Sequence, residues 1–331
     1  MSQIRVLVLR GGPSSEFEIS LKTGFEVLSA LKGEKYHAID VVITKSGDWL
    51  YNGKKRDPHE ILHMGDVVFN ALHGEYGEDG KVQRLMSRFG VPYTGSSAYS
   101  SMLSMHKGIT KDILNGTEGL KMPRHIIART SALQNVDSFA LSILNVFPND
   151  KFVLKPIQGG SSVDTMVVNG SVELARSLAV LLKKYEQVLI EEHITGREAT
   201  VGVIENFRGE KLYALPVVEI VTDTVDGLFS HEAKYNGKTK EICPANFDTK
   251  TKKLLEKLAR IAHETLGLSH YSRADFIVAK DGIYFLEVNS LPGLTRESLI
   301  PVALQSVGSS YKVFIDHILT EALKSSSVHV R

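Results

Sequence analysis

The 331-residue sequence predicts a mixed α/β and α+β protein of two or three lobes. Three features carry this expectation. Apolar strand-like runs alternate with helix-period segments in the N-terminal third. A Gly/Ser loop, GGSSVD, separates two further strand-like runs after Lys155. Near the C-terminus two apolar strands are joined by a short polar turn. Lys and Arg total 39 against 38 Asp and Glu, so no charge bias points to nucleic acid or an anionic membrane surface, and a small molecule is the expected partner. The single Cys243 excludes an intrachain disulfide. MSQIRVLVLR does not have the form of a signal peptide, and no run approaches the roughly 20 apolar residues of a membrane span. The expected location is the cytoplasm.

Taken in order, Ile4 to Leu9 reads as a strand ending at Gly11-Gly12-Pro13, and Ser15 with Glu18 offers a capping box for a helix reaching about Leu31. Runs at Ile39 to Thr44 and Val67 to Leu72 extend the pattern toward a parallel sheet. After Lys107 a helical stretch leads to Pro123, and strands follow at Phe152 to Lys155 and Thr165 to Val168. Leu174, Leu178, Leu181 and Leu182 form one helical stripe before a strand from Gln187 to Glu191. Two strand-like runs, Ala199 to Ile204 and Tyr213 to Ile220, precede a polar stretch, 222–240, that reads as a mobile loop. A helix marked by Leu254, Leu258, Ile261, Ala262 and Leu266 stops at Gly267. Strands Ala274 to Ala279 and Ile283 to Val288 come next, and the chain closes on a helix near Tyr311 to Leu323.

Asp275, Glu287 and Asn289 interrupt those last apolar strands, where a buried, uncompensated carboxylate would be costly. A hairpin turning through Lys280, Asp281 and Gly282 sets Asp275 opposite Glu287, with Arg273 and Asn289 on the same face. Such an oxygen set suits Mg²⁺ completed by phosphate and water. A two-residue turn at Asp281-Gly282 would separate the two carboxylates. The same residues also fit an ordinary ion-pair network centred on Arg273.

In KPIQGGSSVD, Lys155 closes a strand, and Gly159, Gly160, Ser161 and Ser162 can bring backbone N–H groups close to phosphate oxygens. Lys107 and Lys234 are candidate phosphate contacts, although most lysines are simply solvated. The turn GGPSSE lacks the dinucleotide-binding spacing. A helix N-terminus there can bind a carboxylate and Glu16 can pair with an ammonium; the plainer reading of Glu16 is a first-turn helix acid.

The segments GGPSSEFEIS, ALHGEYGEDG, PYTGS, KPIQGGSSV, VLIEEHITGRE, EAKY, YSRADF and LEVNSLPGLTRESLIP follow one another in an order and spacing that resemble the D-alanine:D-alanine ligase family of the ATP-grasp superfamily, from about Val6 to Pro301. The resemblance implies an ATP-grasp fold behind a Rossmann-like N-terminal domain. Its divisions here would be 1–104, 105–195 and 196–331, with 222–240 as the closing loop. ATP would lie between the second and third domains and the amino acids between the first and third. It further implies that Lys107, Lys155, Ser162 and Lys234 meet the ATP phosphates, that Glu191, Glu192 and Ile194 line the adenine pocket, and that Glu198 binds the ribose. Two Mg²⁺ ions, or Mn²⁺ in their place, would sit on Asp275, Glu287 and Asn289. Glu16 would hold the first ammonium beside His73. Glu16, Ser161 and Tyr235 would link the first domain to the closing loop. Arg273 and the Gly293 N–H would face the oxyanion, and Ser298 with Leu299 would receive the second carboxylate. A homodimer through the first domain is implied too, as is supply of D-alanyl-D-alanine for peptidoglycan.

Four positions depart from the family pattern: His106 for Asp, Gly159 for Glu, Asp164 for Gly and Phe229 for Tyr. All cluster around the nucleotide. Tyr235 is the residue of dipeptide-forming members. Two other functions share much of this pattern, an ATP-grasp ligase for a different substrate pair and an ATP sensor without chemistry; the intact Arg273, Asp275, Glu287 and Asn289 set argues against the sensor.

Overall fold

A computed structural model describes residues 3–160, 163–221 and 240–327. β1 (Ile4–Gly11) lies inside a sheet completed, after α1 (Phe17–Ala30), by β2 (Tyr36–Ile43), β3 (Trp49–Tyr51), β4 (Lys54–Lys55) and, beyond α2 (Pro58–Leu62), β5 (Val67–Asn70). Val6 and Val8 enter one apolar layer, Leu7 and Leu9 the other, which explains the uninterrupted apolar run. The order is β4-β3-β2-β1-β5. The three long strands are parallel as expected, while β3 and β4 add an antiparallel edge that the pattern did not single out. Because β2 and β5 flank β1 on opposite sides, a crevice opens beyond the carboxyl ends of β1 and β5.

Into this crevice run the turn 13–16 and the loop 73–79. The expected capping box is absent: the residue at the start of α1 is Glu16, with no side-chain cap. Ser14 organises the turn from outside the helix, its Oγ accepting from the Glu16 N–H at 3.1 Å and donating to the His73 carbonyl at 2.6 Å. The turn is thereby tied to the loop after β5. Gly11, at φ +90°, approaches β2 so closely that a Cβ would lie 2.3 Å from the Ile43 carbonyl oxygen.

After α3 (Lys81–Arg88), α4 (Ala98–Met105), α5 (Lys107–Leu114) and the short β6 (Leu120–Lys121), a four-stranded antiparallel sheet forms from β7 (His125–Arg129), β8 (Lys151–Pro156), β9 (Met166–Asn169) and β10 (Gln187–Glu192), in the order β7-β10-β8-β9. α6 (Val136–Leu144) and α7 (Gly170–Leu182) cover it, and the predicted leucine stripe of α7 is buried there.

The third sheet holds β11 (Arg197–Phe207), β12 (Glu210–Ala214), β13 (Val218–Val221), β14 (Lys240–Ile242), β15 (Tyr271–Ala279) and β16 (Gly282–Asn289), with β6 at its edge. The run Tyr213 to Ile220, expected as one strand, is two. β12 and β13 pair with different stretches of β11, and Pro216, which lacks an N–H, falls between them. α8 (Thr249–Thr265) packs on one face. α9 (Leu299–Ser306) and α10 (Tyr311–Ser327) share a core with β1 and β5, joining this sheet to the first. Among the described residues no helix is long and apolar enough to cross a membrane.

Candidate active site

On the paired strands β15 and β16, Arg273 lies opposite Asn289 and Asp275 opposite Glu287, as the sequence predicted, but the predicted turn is wrong. Ala279 pairs with Gly282 across a two-residue loop, and the ladder continues regularly to Phe276 opposite Phe285. Regular pairing would next match Asp275 with Leu286 and send Glu287 to the core face. A bulge in the ladder between Asp275 and Phe276 absorbs Leu286 as an extra residue and returns Glu287 to the side of Asp275.

Arg273 grips Asp275 with Nε to Oδ1 at 2.9 Å and Nη2 to Oδ2 at 2.8 Å. Asn289 Nδ2 donates to Oδ2 at 3.1 Å, and the hydroxyl of Thr200, a residue the sequence reading did not select, donates to Oδ1. Burial opposes the guanidinium charge, but Asp275 outweighs it and raises the Arg273 pKa. Part of the ion-pair alternative is therefore present. Glu287, 23% exposed, turns toward the Lys107 ammonium at 3.4 Å and toward the adjoining cavity. Among the described residues no group of three or more His, Cys, Asp or Glu gathers as a cation cage. Two carboxylates and an amide oxygen on one face fit Mg²⁺, which takes its remaining ligands from phosphate and water.

That cavity, about 750 Å³, is lined by Lys107, Lys155, Glu191, Glu192, Ile194 and Glu198 among others. It lies within the usual range for a ligand site. Below it, Lys155 Nζ approaches Glu191 Oε2 at 2.5 Å and Lys111 Nζ approaches Oε1 at 2.7 Å. Burial works against the Glu191 charge, but the two ammoniums overcome it and hold its pKa down to about 2. Lys111 is wholly buried and also donates to the Phe285 carbonyl at 3.1 Å on β16. Sequence reasoning missed it; the available signal was a second lysine one helical turn after Lys107. Glu192 Oε1 accepts the Arg124 N–H at 2.8 Å. Lys107 Nζ donates to the Gly159 carbonyl at 2.6 Å, tying α5 to the Gly/Ser loop.

Two departures from the family pattern have structural accounts. His106 Nδ1 accepts the Ile109 N–H at 3.2 Å and caps α5, the job an aspartate does well. Asp164 sits at φ +55°, where glycine is at ease, and its carboxylate binds the Tyr185 hydroxyl at 2.6 Å and Lys184 at 3.1 Å.

A second cavity of about 580 Å³ contains Glu16, His73, Asn289, Gly293, Ser298 and Leu299. His73 Nδ1 meets the Leu291 carbonyl at 3.1 Å and Nε2 meets the Thr23 hydroxyl at 2.9 Å. The carbonyl only accepts, so Nδ1 carries the proton, and burial lowers the pKa and keeps the ring neutral despite Glu16. Ser298 Oγ accepts the Thr295 N–H at 3.0 Å. Glu16 is pressed between two glycines: a Cβ on Gly74 or on Gly160 would lie 2.7 Å from its Oε2. Glu16, Lys107, Gly160, Arg273, Glu287 and Leu299 line both cavities. Ser161, Ser162, Phe229, Lys234 and Tyr235 lie outside the described residues.

A protein that sets a nucleotide-sized cavity against a second one, and places cations, carboxylates and a fixed guanidinium where the two meet, is arranged to pass a phosphoryl group between them. Its class is that of the ATP-dependent ligases of ATP-grasp architecture. Sequence models of the D-ala D-ala ligase C-terminus and N-terminus match residues 119–320 and residues 5–63 and 52–96. A D-alanine–D-alanine ligase of Aquifex aeolicus is 39% identical, over 96% of this chain and 100% of its own. The D-alanine–D-alanine ligase of Bacillus anthracis, solved complexed with ATP, is 30% identical with a TM-score of 0.79, covering 98% of this chain and 99% of that one. VanG D-Ala:D-Ser ligase of Enterococcus faecalis is 25% identical with a TM-score of 0.81, over 97% and 99%. The chain belongs to the D-alanine–D-alanine ligase family.

Proposed function

We propose that the protein joins two D-alanines to D-alanyl-D-alanine at the expense of ATP, in the cytoplasm, for peptidoglycan precursor synthesis. The observation that carries this reading is the shared lining of the two cavities, where the γ-phosphate of a nucleotide would meet the carboxylate of an amino acid held by Glu16. The three sheets divide the work as domains 1–104, 105–195 and 196–331, with 222–240 as the lid and a homodimer formed through the first domain.

A carboxylate is a poor electrophile, so the first D-alanine attacks the γ-phosphorus and forms an acyl phosphate with a good leaving group. Asp275, Glu287 and Asn289 would hold Mg²⁺, which would supply charge neutralisation on the phosphates. Lys107 and Lys155 add fixed positive charge to the same cavity, joined by Lys234 when the lid closes. Glu191, Glu192 and Ile194 seat the adenine and Glu198 the ribose, while Ser162 joins the phosphate contacts. The second D-alanine, its carboxylate at Ser298 and Leu299, attacks the acyl carbon through its amine. Arg273 and the Gly293 N–H stabilise the developing oxyanion, an arrangement whose single donors are typically worth on the order of 10²–10³ in turnover. Glu16, Ser161 and Tyr235 couple the first domain to the lid, which keeps water from the acyl phosphate.

Phosphate release with ATP and Mg²⁺ across a panel of D- and L-amino acids, D-serine and D-lactate tests the reading. Release with D-alanine alone, and a dipeptide product, is expected. Release only with another pair would assign a different substrate, and silence throughout would leave a nucleotide-binding protein.

A further inference from the structure

Lys107 and Lys111 stand one helical turn apart on α5. Lys107 lines the nucleotide cavity, whereas the Lys111 side chain is wholly buried and has no part in the reaction just described. Lys111 Nζ sits 2.7 Å from Glu191 Oε1 and Lys155 Nζ 2.5 Å from Glu191 Oε2, so one carboxylate on β10 stands between two ammoniums. Phe285 on β16 holds Lys111 further, its carbonyl accepting from Nζ at 3.1 Å and its ring centroid lying 5.6 Å away. Of the three charged groups, Lys155 and Glu191 line the nucleotide cavity, and the Lys155 side chain remains 10% exposed.

An ammonium matched by one carboxylate at contact distance has its charge answered locally and offers little of it to a phosphate. Lys155 and Glu191 alone would be such a closed pair. With Lys111 the trio carries one surplus positive charge: the buried ammonium meets Glu191 from behind, and Lys155 faces the cavity. Burial lowers the Lys111 pKa, while Glu191 works to keep the proton on it. Buried ion groups gain little stability over apolar packing of the same volume. The place of this trio, directly beneath a nucleotide-sized cavity, is therefore its informative feature.

We propose that Lys111 is a positioning residue for nucleotide binding: it answers the charge of Glu191 and so leaves the Lys155 ammonium available to the ATP phosphates. This rests on the ATP-dependent reading of the larger cavity and deepens it. Lys111 acts on the phosphates only through Glu191 and Lys155. Phosphate affinity therefore follows the summed charge of the trio, which is one positive charge in the parent, none in Lys111→Met and one again in Lys111→Met/Glu191→Gln.

The test measures binding of ATP with Mg²⁺ and of adenosine to the full chain, each by displacement of a fluorescent ATP analogue. The ratio of the two affinities isolates the phosphate contribution. Lys111→Met is expected to lower that ratio about tenfold, the lower end of what one hydrogen bond to a charged group is worth. The KM for ATP should rise about as much, with the KM for D-alanine within about twofold. Lys111→Met/Glu191→Gln should return the ratio to within about threefold of the parent; it lacks the uncompensated buried carboxylate and so folds where the single variant fails. Equal losses of ATP and adenosine affinity in Lys111→Met, or a double variant whose ratio stays about tenfold down, would make Lys111 merely structural and overturn the proposal. A parent that binds ATP but releases no phosphate with any amino acid ends the ligase reading, while the binding ratios still decide the role of Lys111.

Discussion

Lys111→Met should destabilise the protein by about 3 kcal/mol, the lower end of the usual cost of breaking a buried ion pair. The lysine is wholly buried, 2.7 Å from one oxygen of Glu191, and its loss leaves that carboxylate with Lys155 alone. The lower end applies because Lys155 still neutralises part of the charge. A second route gives a similar size. Glu191 is held at about 2 against an ordinary 4.5, a difference worth about 3–4 kcal/mol at roughly 1.4 kcal/mol per unit and shared between Lys111 and Lys155. Since the folded value lies below the unfolded one, this stability is fully present above about pH 4.5 and is lost as pH falls toward 2. Thermal melts of the parent and of Lys111→Met between pH 7 and pH 3 measure both effects. The variant should melt several degrees lower at pH 7, with the gap narrowing as the pH approaches 3. Equal melting temperatures at pH 7, or a gap that widens with acid, would refute the assignment of Glu191 as the charged partner.

Glu287→Gln should abolish phosphate release while far-UV circular dichroism stays that of the parent; near-normal turnover would remove Glu287 from the cation site. Gly74→Ala places a methyl 2.7 Å from Glu16 Oε2 at a residue with φ +67°, so a KM for the first D-alanine raised tenfold or more is expected, alongside a stability loss of about 1–2 kcal/mol. An unchanged KM would mean that Glu16 does not hold the ammonium. Tyr235→Phe should relax the second substrate toward hydroxy acids, read as D-lactate-dependent phosphate release; unchanged selectivity would contradict the role given to Tyr235.

The strands were legible because apolar continuity marks a sheet buried on both faces, as in β1, and helices because leucines recur at helical spacing, as in α7. Asp275 and Glu287, with Arg273 on their face, came to notice because a charge inside an apolar run is conspicuous, whereas Glu16 was marked by its place at a helix N-terminus. Lys111 lies in a segment already rich in charge, where only tertiary contact distinguishes a buried ion from a solvated one. Ser15 illustrates the converse. Its spacing to Glu18 satisfies a local rule, but the loop after β5 engages Ser14, and the longer-range hydrogen bond decides the turn.

The bulge in the β15–β16 hairpin shows what the pairing alone conceals. Ile283, Phe285 and Val288 point into the core under α8, while Leu286 and Glu287, consecutive in sequence, both line the nucleotide cavity. Strict alternation permits only one of two neighbours to do so. Deleting Leu286 would let the ladder run regularly from Phe276 opposite Phe285 to Asp275 opposite Glu287, so the cation site needs no bulge once that residue is gone. The extra residue therefore serves the cavity wall. Leu286→Ala removes part of an apolar side chain worth about 1 kcal/mol when half covered, which predicts a KM for ATP raised roughly fivefold with the KM for D-alanine within about twofold. The Leu286 deletion should behave in the same direction and keep its Mg²⁺ requirement at saturating ATP. A Leu286→Ala protein with the parent's KM for ATP, or a deletion that binds ATP normally and no longer responds to Mg²⁺, would reverse the assignment and make the bulge a device for aiming Glu287.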